Sequence, residues 1–402
     1  MSKAIKCIMA TRGVSTDVNG SFRPCCRYSQ PNEQEEYPMP WSELSQKYYF
    51  TTNADHESTT GSFNDLYNSK EIIKLRKALG DGIRVPECKQ CWVNEDASNM
   101  SYREVMNNRF KDITIDVDQL VSDPPVYVDL KLSNVCNLMC RMCSTVASSK
   151  ILKEERRVIA GTNIQLTTER YWSENKIIGT YNENDFIDWL PHIREINFTG
   201  GDPLVGKENR EVLQLIIDNG YASEINIHLN TNGMLMSKLY IEILKQFKQV
   251  DIAFSIDDIG DRLYYHRHGA EYSKFLKHWN MITELAPDIK KHIYMTICNY
   301  NIWDIAEAYT ELSKLTNNIS YEFVYNPKEQ NISYLHPAIK AEIIKKYEGK
   351  GYVWNKMMKF INIDHGKDLT LEFHKDIKKF DARRSEDFKT IYPEWSEIIM
   401  YV

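Results

Sequence analysis

From about residue 126 onward, short β-branched or aromatic runs alternate with longer stretches whose apolar residues recur at helical spacing. That is the rhythm of parallel strands joined by crossover helices. Six strands are predicted, at Val126–Leu132, Glu195–Phe198, Glu224–Leu229, Val250–Ser255, His292–Cys298 and Tyr321–Tyr325. The helical pattern falls between them. It covers Asn209–Asp218, where Val212, Leu213, Leu215 and Ile216 share a stripe, then Lys238–Phe247, Tyr272–Leu285 and Trp303–Leu315. Six strand–helix units fit an α/β fold of the partial (β/α)6 barrel kind. An Asn-, Glu-, Thr- and Tyr-rich insertion from about Glu154 to Trp189 has weak periodicity and reads as a lid or helical insert.

Before residue 126 the texture changes. Clustered cysteines, the turn-prone Asp17-Val18-Asn19-Gly20 and a low-periodicity stretch around Thr51–Ser62 suggest a small metal-organised module with few regular elements. Asp123-Pro124-Pro125 is the natural linker, because proline disfavours helix in the residue before it. The expected division is therefore a module over 1–122, a barrel over 123–345 and an aromatic, charged extension over 346–402 that packs on the barrel.

With 42% hydrophobic and 26% charged residues, the 402-residue chain is neither disordered nor fibrous. Charge breaks the apolar stretches, and Met1–Gly13 lacks the apolar core of a signal peptide, so a cytoplasmic protein with no membrane partner is expected. The net charge is −6 and the 50 Lys and Arg are scattered, which gives no electrostatic reason to expect nucleic acid. The nine cysteines are more informative, since eight lie within the first 143 residues. In a reducing compartment, short cysteine spacings read as metal ligands before disulfides.

Cys136, Cys140 and Cys143 form a C-x3-C-x2-C loop directly after a predicted strand. Three thiolates can hold three irons of a cubane and leave the fourth open, whereas electron-transfer cubanes use four cysteines. The second strand ends in Gly200-Gly201-Asp202, where paired glycines permit close backbone approach at a strand's carboxyl end. The third ends in Asn230-Thr231-Asn232-Gly233 and the fourth in Ser255-Ile256-Asp257, followed by Tyr265-His266-Arg267-His268-Gly269.

Taken together these motifs resemble the radical S-adenosylmethionine (SAM) superfamily, with Asp202 in place of the usual Glu of its Gly-Gly-Glu motif. The resemblance implies a [4Fe–4S] cluster on Cys136, Cys140 and Cys143 whose open iron chelates SAM, and reductive cleavage of SAM to a 5′-deoxyadenosyl radical. It implies SAM contacts from Gly200, Gly201, Asp202, Asn232 and Ser255, and an Arg267 that pairs with the SAM carboxylate. A flavodoxin- or ferredoxin-type electron donor is implied as well.

Cys7, Gly20 and Cys25, then Cys88-Lys89-Gln90-Cys91 followed by Glu95 and Ser101-Tyr102-Arg103, resemble the auxiliary-cluster modules called twitch and SPASM. Here the module precedes the barrel instead of following it. The implied ligands of a second, auxiliary [4Fe–4S] cluster are Cys7, Cys25, Cys88 and Cys91, with Cys26 an alternative beside Cys25. Relatives with such modules often modify peptides or proteins, so a peptide substrate is the first expectation and a small sugar- or nucleotide-like metabolite the second. The competing class is a non-catalytic zinc-stabilised binding protein, because C-x2-C pairs serve zinc equally well. A degenerate relative that uses the cluster as a redox sensor is a third reading. Cys298, in the fifth strand pattern, reads as a buried thiol.

Overall fold

The computed structural model describes residues 4–16, 22–28, 68–96, 100–118, 120, 123–160 and 183–400. The expected turn at Asp17–Gly20, the stretch Thr51–Ser62, residues 161–182 of the insertion and the pair Ser98-Asn99 lie outside them. The chain divides into two compact units, one of residues 1–135, 153–229 and 242–250, the other of residues 136–152, 230–241 and 251–402.

The first unit carries β1 (Gly13–Thr16), β2 (Phe22–Arg23) and β3 (Tyr127–Leu130), and further along the chain β5 (Glu195–Phe198) and most of β6 (Asn226–Thr231). The two-residue β4 (Met139–Cys140) lies between β3 and β5 in sequence and belongs to the second unit. Neighbours run β2-β1-β3-β5-β6, with β2 antiparallel and the others parallel. Their register sorts the side chains by face. Val14, Val128, Ile196 and Ile227 stand in one row and are all buried. One residue along, Ser15, Asp129, Asn197 and His228 stand in a second row on the opposite face. Strands of an ordinary parallel sheet are apolar on both faces because helices cover both. A polar row across four neighbouring strands marks a face with a different use.

The second unit carries most of β7 (Gln249–Ser255), with β8 (Arg267–His268), β9 (Lys290–Ile297) and β10 (Ile319–Phe323); β7, β9 and β10 are parallel. Seven strands in all therefore lie in parallel ladders with helices between them, the α/β class expected. The six predicted strands and four predicted helices are all present, with ends shifted by a few residues; the helix Tyr272–Leu285 begins and ends where its apolar stripe does. The strand β1 and the β4–β8 pairing were not among the expected elements.

Residues 299–303 after β9 are covered by C-terminal helices. Trp303 stacks on Trp395 at 5.4 Å and 3°, Trp395 Nε1 donates to the Asn299 carbonyl at 2.8 Å, and Tyr300 meets Phe373 edge-on at 4.7 Å. Among the described residues no helix is long and apolar enough to cross a membrane.

Candidate metal centres and active site

Several constraints shape the cysteine loop. Cys140 lies on β4, which pairs antiparallel with β8 so that Cys140 faces Arg267 and Met139 faces His268. A turn returns Cys143 N–H to the Cys140 carbonyl at 3.1 Å, and Ser148 Oγ donates to the Leu138 carbonyl at 2.9 Å. Ser149 Oγ accepts the Cys136 N–H at 3.2 Å. Burial, followed by the nearby Cys140 and Cys136 sulfurs, pushes the Cys143 thiol up to about 12. Neighbouring thiols that destabilise each other's thiolates are a donor set suited to a cationic iron cluster.

Two side chains offer N–H groups to these sulfurs. Asn232 Nδ2 lies 3.9 Å from Cys136 Sγ and donates to Asn137 Oδ1 at 2.8 Å, so this residue, expected near SAM, also braces the loop. Arg267 Nη1 lies 3.8 Å from Cys140 Sγ while its Nε donates to Asp257 Oδ2 at 2.5 Å. Arg267 is thus committed to a thiol and a carboxylate of its own chain, a placement the expected SAM-carboxylate role did not foresee. Ser255 is half-buried at the end of β7, beside Tyr294 of β9. Among the described residues no three His, Cys, Asp or Glu are arranged to hold a metal ion, so the cluster assignment stands on the loop's spacing and its N–H donors.

Gly200 and Gly201 have a clear physical reason for being glycine. Gly200 has φ +108, and a Cβ there would stand 2.7 Å from the Ser133 carbonyl oxygen. At Gly201 a Cβ would stand 2.3 Å from the Val135 oxygen. The Gly201 and Asp202 N–H groups donate to the Ser133 and Val135 carbonyls at 3.0 and 2.9 Å. The close approach is therefore to the backbone that leads into Cys136, and Asp202 is turned inward, accepting the Leu204 N–H at 3.0 Å. Gly201→Ala is expected to displace residues 133–135, to destabilise the fold by about 1–3 kcal/mol and to lower iron retention; thermal melts and iron assays on one preparation check both.

Cys7, Cys25, Cys88 and Cys91 line one pocket with Met9, Trp92, Tyr102 and Arg103. Cys7 precedes the helix Ile8–Arg12, Cys88 ends the single turn Pro86–Cys88, and Cys91 sits in the helix Lys89–Asp96. Burial pushes the Cys7 thiol up to about 11, and burial followed by neighbouring sulfurs raises Cys25 and Cys88. Cys25 lines the pocket, while the adjacent Cys26 lies within reach of Tyr102 and the Asp129 carboxylate. The Glu95, Ser101 and Arg103 run proves to be a brace for this pocket. Glu95 accepts from Ser101 Oγ at 2.6 Å and Arg103 Nε at 3.0 Å, and Arg103 Nη1 reaches the Lys6 carbonyl, one residue before Cys7, at 2.8 Å.

Sequence reasoning missed the polar row. Asp129 is buried and accepts from Ser15 Oγ at 2.9 Å, Asn197 Nδ2 at 2.9 Å and Thr199 Oγ1 at 3.2 Å. The signal was available as the polar residue in each of Val128-Asp129-Leu130, Ile196-Asn197-Phe198 and Ile227-His228-Leu229. Nearby in sequence, Glu208 Oε2 and Asn209 Oδ1 at the start of the helix Lys207–Asp218 are buried without hydrogen-bond partners.

In the second unit Cys298 Sγ lies 3.2 Å from His266 Nε2, and His266 Nδ1 is 3.7 Å from Asp257 Oδ2. Burial pulls the His266 imidazole down to about 4. A histidine held neutral in the fold contributes stability that is present above its unfolded value near 6.5 and lost as pH falls toward 4. We expect a loss of roughly 1 kcal/mol per pH unit across that window, reduced in His266→Gln, as read from denaturant unfolding at a series of pH values.

Residues 130–312 match the radical SAM superfamily. No curated protein matches the chain. Among solved structures, anSMEcpe with bound AdoMet and Kp18Cys peptide superposes with a TM-score of 0.34 at 18% identity, over 51% of this chain and 52% of that one. The chain thus spans about half the length of that structure. Streptococcus suis SuiB bound to the precursor peptide SuiA gives 0.35 at 13% identity, over 75% of this chain and 63% of that one. TYW1 with a lysine-pyruvate adduct gives 0.30 at 16% identity, over 56% and 74%. The stretch that matches this superfamily holds the C-x3-C-x2-C loop and the Gly-Gly-Asp turn.

Proposed function

We propose that this protein is a radical SAM enzyme whose cluster is held by Cys136, Cys140 and Cys143, with a second, auxiliary cluster on Cys7, Cys25, Cys88 and Cys91. The observation that carries the reading is the donor set of the first loop: three thiols within electrostatic reach of one another, two of them facing side-chain N–H groups. When bound, the cluster and SAM supply a one-electron cleavage that removes a carbon-bound hydrogen atom from substrate. The chain's part is positional. Asn232 and Arg267 brace the sulfurs, Gly200 and Gly201 bring the second strand's end against the backbone of residues 133–135, and Ser255 ends β7 opposite Tyr294.

The substrate proposed is a peptide or protein, as the resemblance to enzymes with auxiliary-cluster modules implies, with electrons from a flavodoxin- or ferredoxin-type donor. The polar row Ser15, Asp129, Asn197 and His228 favours a second reading, a small polar metabolite such as a sugar or nucleotide derivative held by hydrogen bonds. The test is iron, sulfide and zinc content of anaerobically purified protein, followed by 5′-deoxyadenosine formation from SAM with dithionite. About eight irons and nucleoside formation are expected; zinc without iron or cleavage would overturn the reading in favour of a zinc-stabilised binding protein. Cys88→Ala/Cys91→Ala is expected to remove about four of those irons while the first cluster still responds to SAM, and an unchanged iron count would reject the auxiliary cluster.

A further inference from the structure

Backbone pairing places the Arg267 guanidinium against a proposed cluster ligand. The β4–β8 ladder sets Cys140 directly opposite Arg267, so their spacing does not depend on a flexible loop. Asp257 then fixes the guanidinium by accepting from Nε at 2.5 Å. Asp257 is in turn fixed, because its Oδ1 accepts the Thr296 N–H at 2.7 Å and its carbonyl accepts from Asn301 Nδ2 at 3.0 Å. Arg267 and Asp257 are both buried, so water screens neither charge. This leaves Nη1 3.8 Å from Cys140 Sγ, within reach of an N–H···S hydrogen bond.

Resting on the cluster assignment above, we infer that the Asp257–Arg267 pair sets the reduction potential of the cluster held by Cys140, with Arg267 raising it and Asp257 holding it down. Iron–sulfur potentials respond to local net charge and to hydrogen bonds at the sulfurs. Reduction adds negative charge to the cluster and its thiolates. A cation donating an N–H to one of those sulfurs stabilises the reduced form, and the carboxylate on the far side of the guanidinium opposes it. The pair therefore acts on the ease of electron delivery, a property separate from holding SAM.

The experiment is an EPR-monitored potentiometric titration of the iron-loaded full chain, following the signal that changes on adding SAM, which separates this cluster from any other. Arg267→Gln is expected to move the midpoint to more negative values and Asp257→Asn to more positive ones, at unchanged iron content. The double variant restores the wild-type net charge without the N–H···S contact, so its midpoint should fall between the two. Arg267→Lys keeps the charge but loses the forked geometry and should shift less than Arg267→Gln, in the same direction. Midpoints that stay at the wild-type value, or that move the same way in Arg267→Gln and Asp257→Asn, would overturn the inference. Absence of any SAM-sensitive signal in wild type would instead reject the underlying cluster assignment. Should Arg267→Gln not retain iron, the Lys variant and Asp257→Asn still give the opposed signs on which the inference stands or falls.

Discussion

Cys140→Ala is expected to abolish 5′-deoxyadenosine formation while leaving a folded protein. Among the three loop cysteines Cys140 is the buried one, and it lies on the only strand of the loop, so its sulfur position is fixed by backbone pairing. Removing it takes away one of three thiolates, and a site with two cannot hold the cubane in the geometry that leaves a single open iron. The cost to the fold is that of a small buried side chain plus an Arg267 Nη1 that loses its sulfur neighbour, about 1–3 kcal/mol. Chromatography of SAM incubations with dithionite, alongside circular dichroism of the same sample, checks both halves. Retained cleavage in a folded Cys140→Ala protein would remove the loop from the chemistry altogether.

The second large effect is expected at Arg141, immediately after Cys140. Its side chain is fully buried and lies 3.6 Å from the Tyr265 ring centroid. Nε donates to the Tyr265 carbonyl at 2.9 Å, and Nη2 donates to Asp381 at 2.9 Å and Glu386 at 2.6 Å. The backbone is tied as well, with Arg141 N–H on the His266 carbonyl at 3.0 Å and Gln330 Nε2 on the Arg141 carbonyl at 2.9 Å. Arg141→Ala leaves two carboxylates without their shared cation, and breaking a buried pair in this way costs about 3–5 kcal/mol. Lysine should not rescue it, because one ammonium cannot reproduce a fork that serves a carbonyl and two carboxylates at once. Urea unfolding of wild type, Arg141→Ala and Arg141→Lys measures the loss, and iron content after desalting should fall in parallel. A loss under about 1 kcal/mol would mean that the triad behaves as a surface ion pair.

The parts of this fold that were legible in the sequence are those governed by local periodicity. Tyr272–Leu285 has one uninterrupted apolar stripe, with Phe275, Trp279 and Ile282 buried, and its boundaries follow from that stripe alone. The strands β5 and β7 are dense in apolar and β-branched residues and end at the expected positions. The strand β1 was hidden because Gly13–Thr16 is four residues long and is completed only by a partner more than a hundred positions away. The β4–β8 ladder is two residues on each side, below anything a pattern can signal.

The candidate site divides in the same way. Cysteine spacing announced both thiol groups, and the structure adds which of the adjacent Cys25 and Cys26 joins the pocket, a matter of side-chain direction that spacing does not encode. Gly200 and Gly201 were read as room for a ligand, and what they make room for here is the backbone of residues 133–135. The run of Glu95, Ser101 and Arg103 stood out as a motif, yet its role as a brace on Lys6 depends on contacts across nearly the whole N-terminal segment. Asp129 went unremarked because one acid in a short apolar run carries no pattern of its own; only register sets it beside Asn197 and Ser15.

The clamp on Arg141 also orders events in time. Glu386 stands 245 positions beyond the arginine it holds. At about 5–20 residues per second of synthesis, the loop cysteines leave the ribosome tens of seconds before their anchor exists. For that interval the loop has its nearer braces, Ser148, Asn232 and the strand that carries Arg267, and lacks the carboxylates that hold Arg141. A loop that met metal before residue 386 was made would lack the carboxylate clamp on Arg141, next to Cys140.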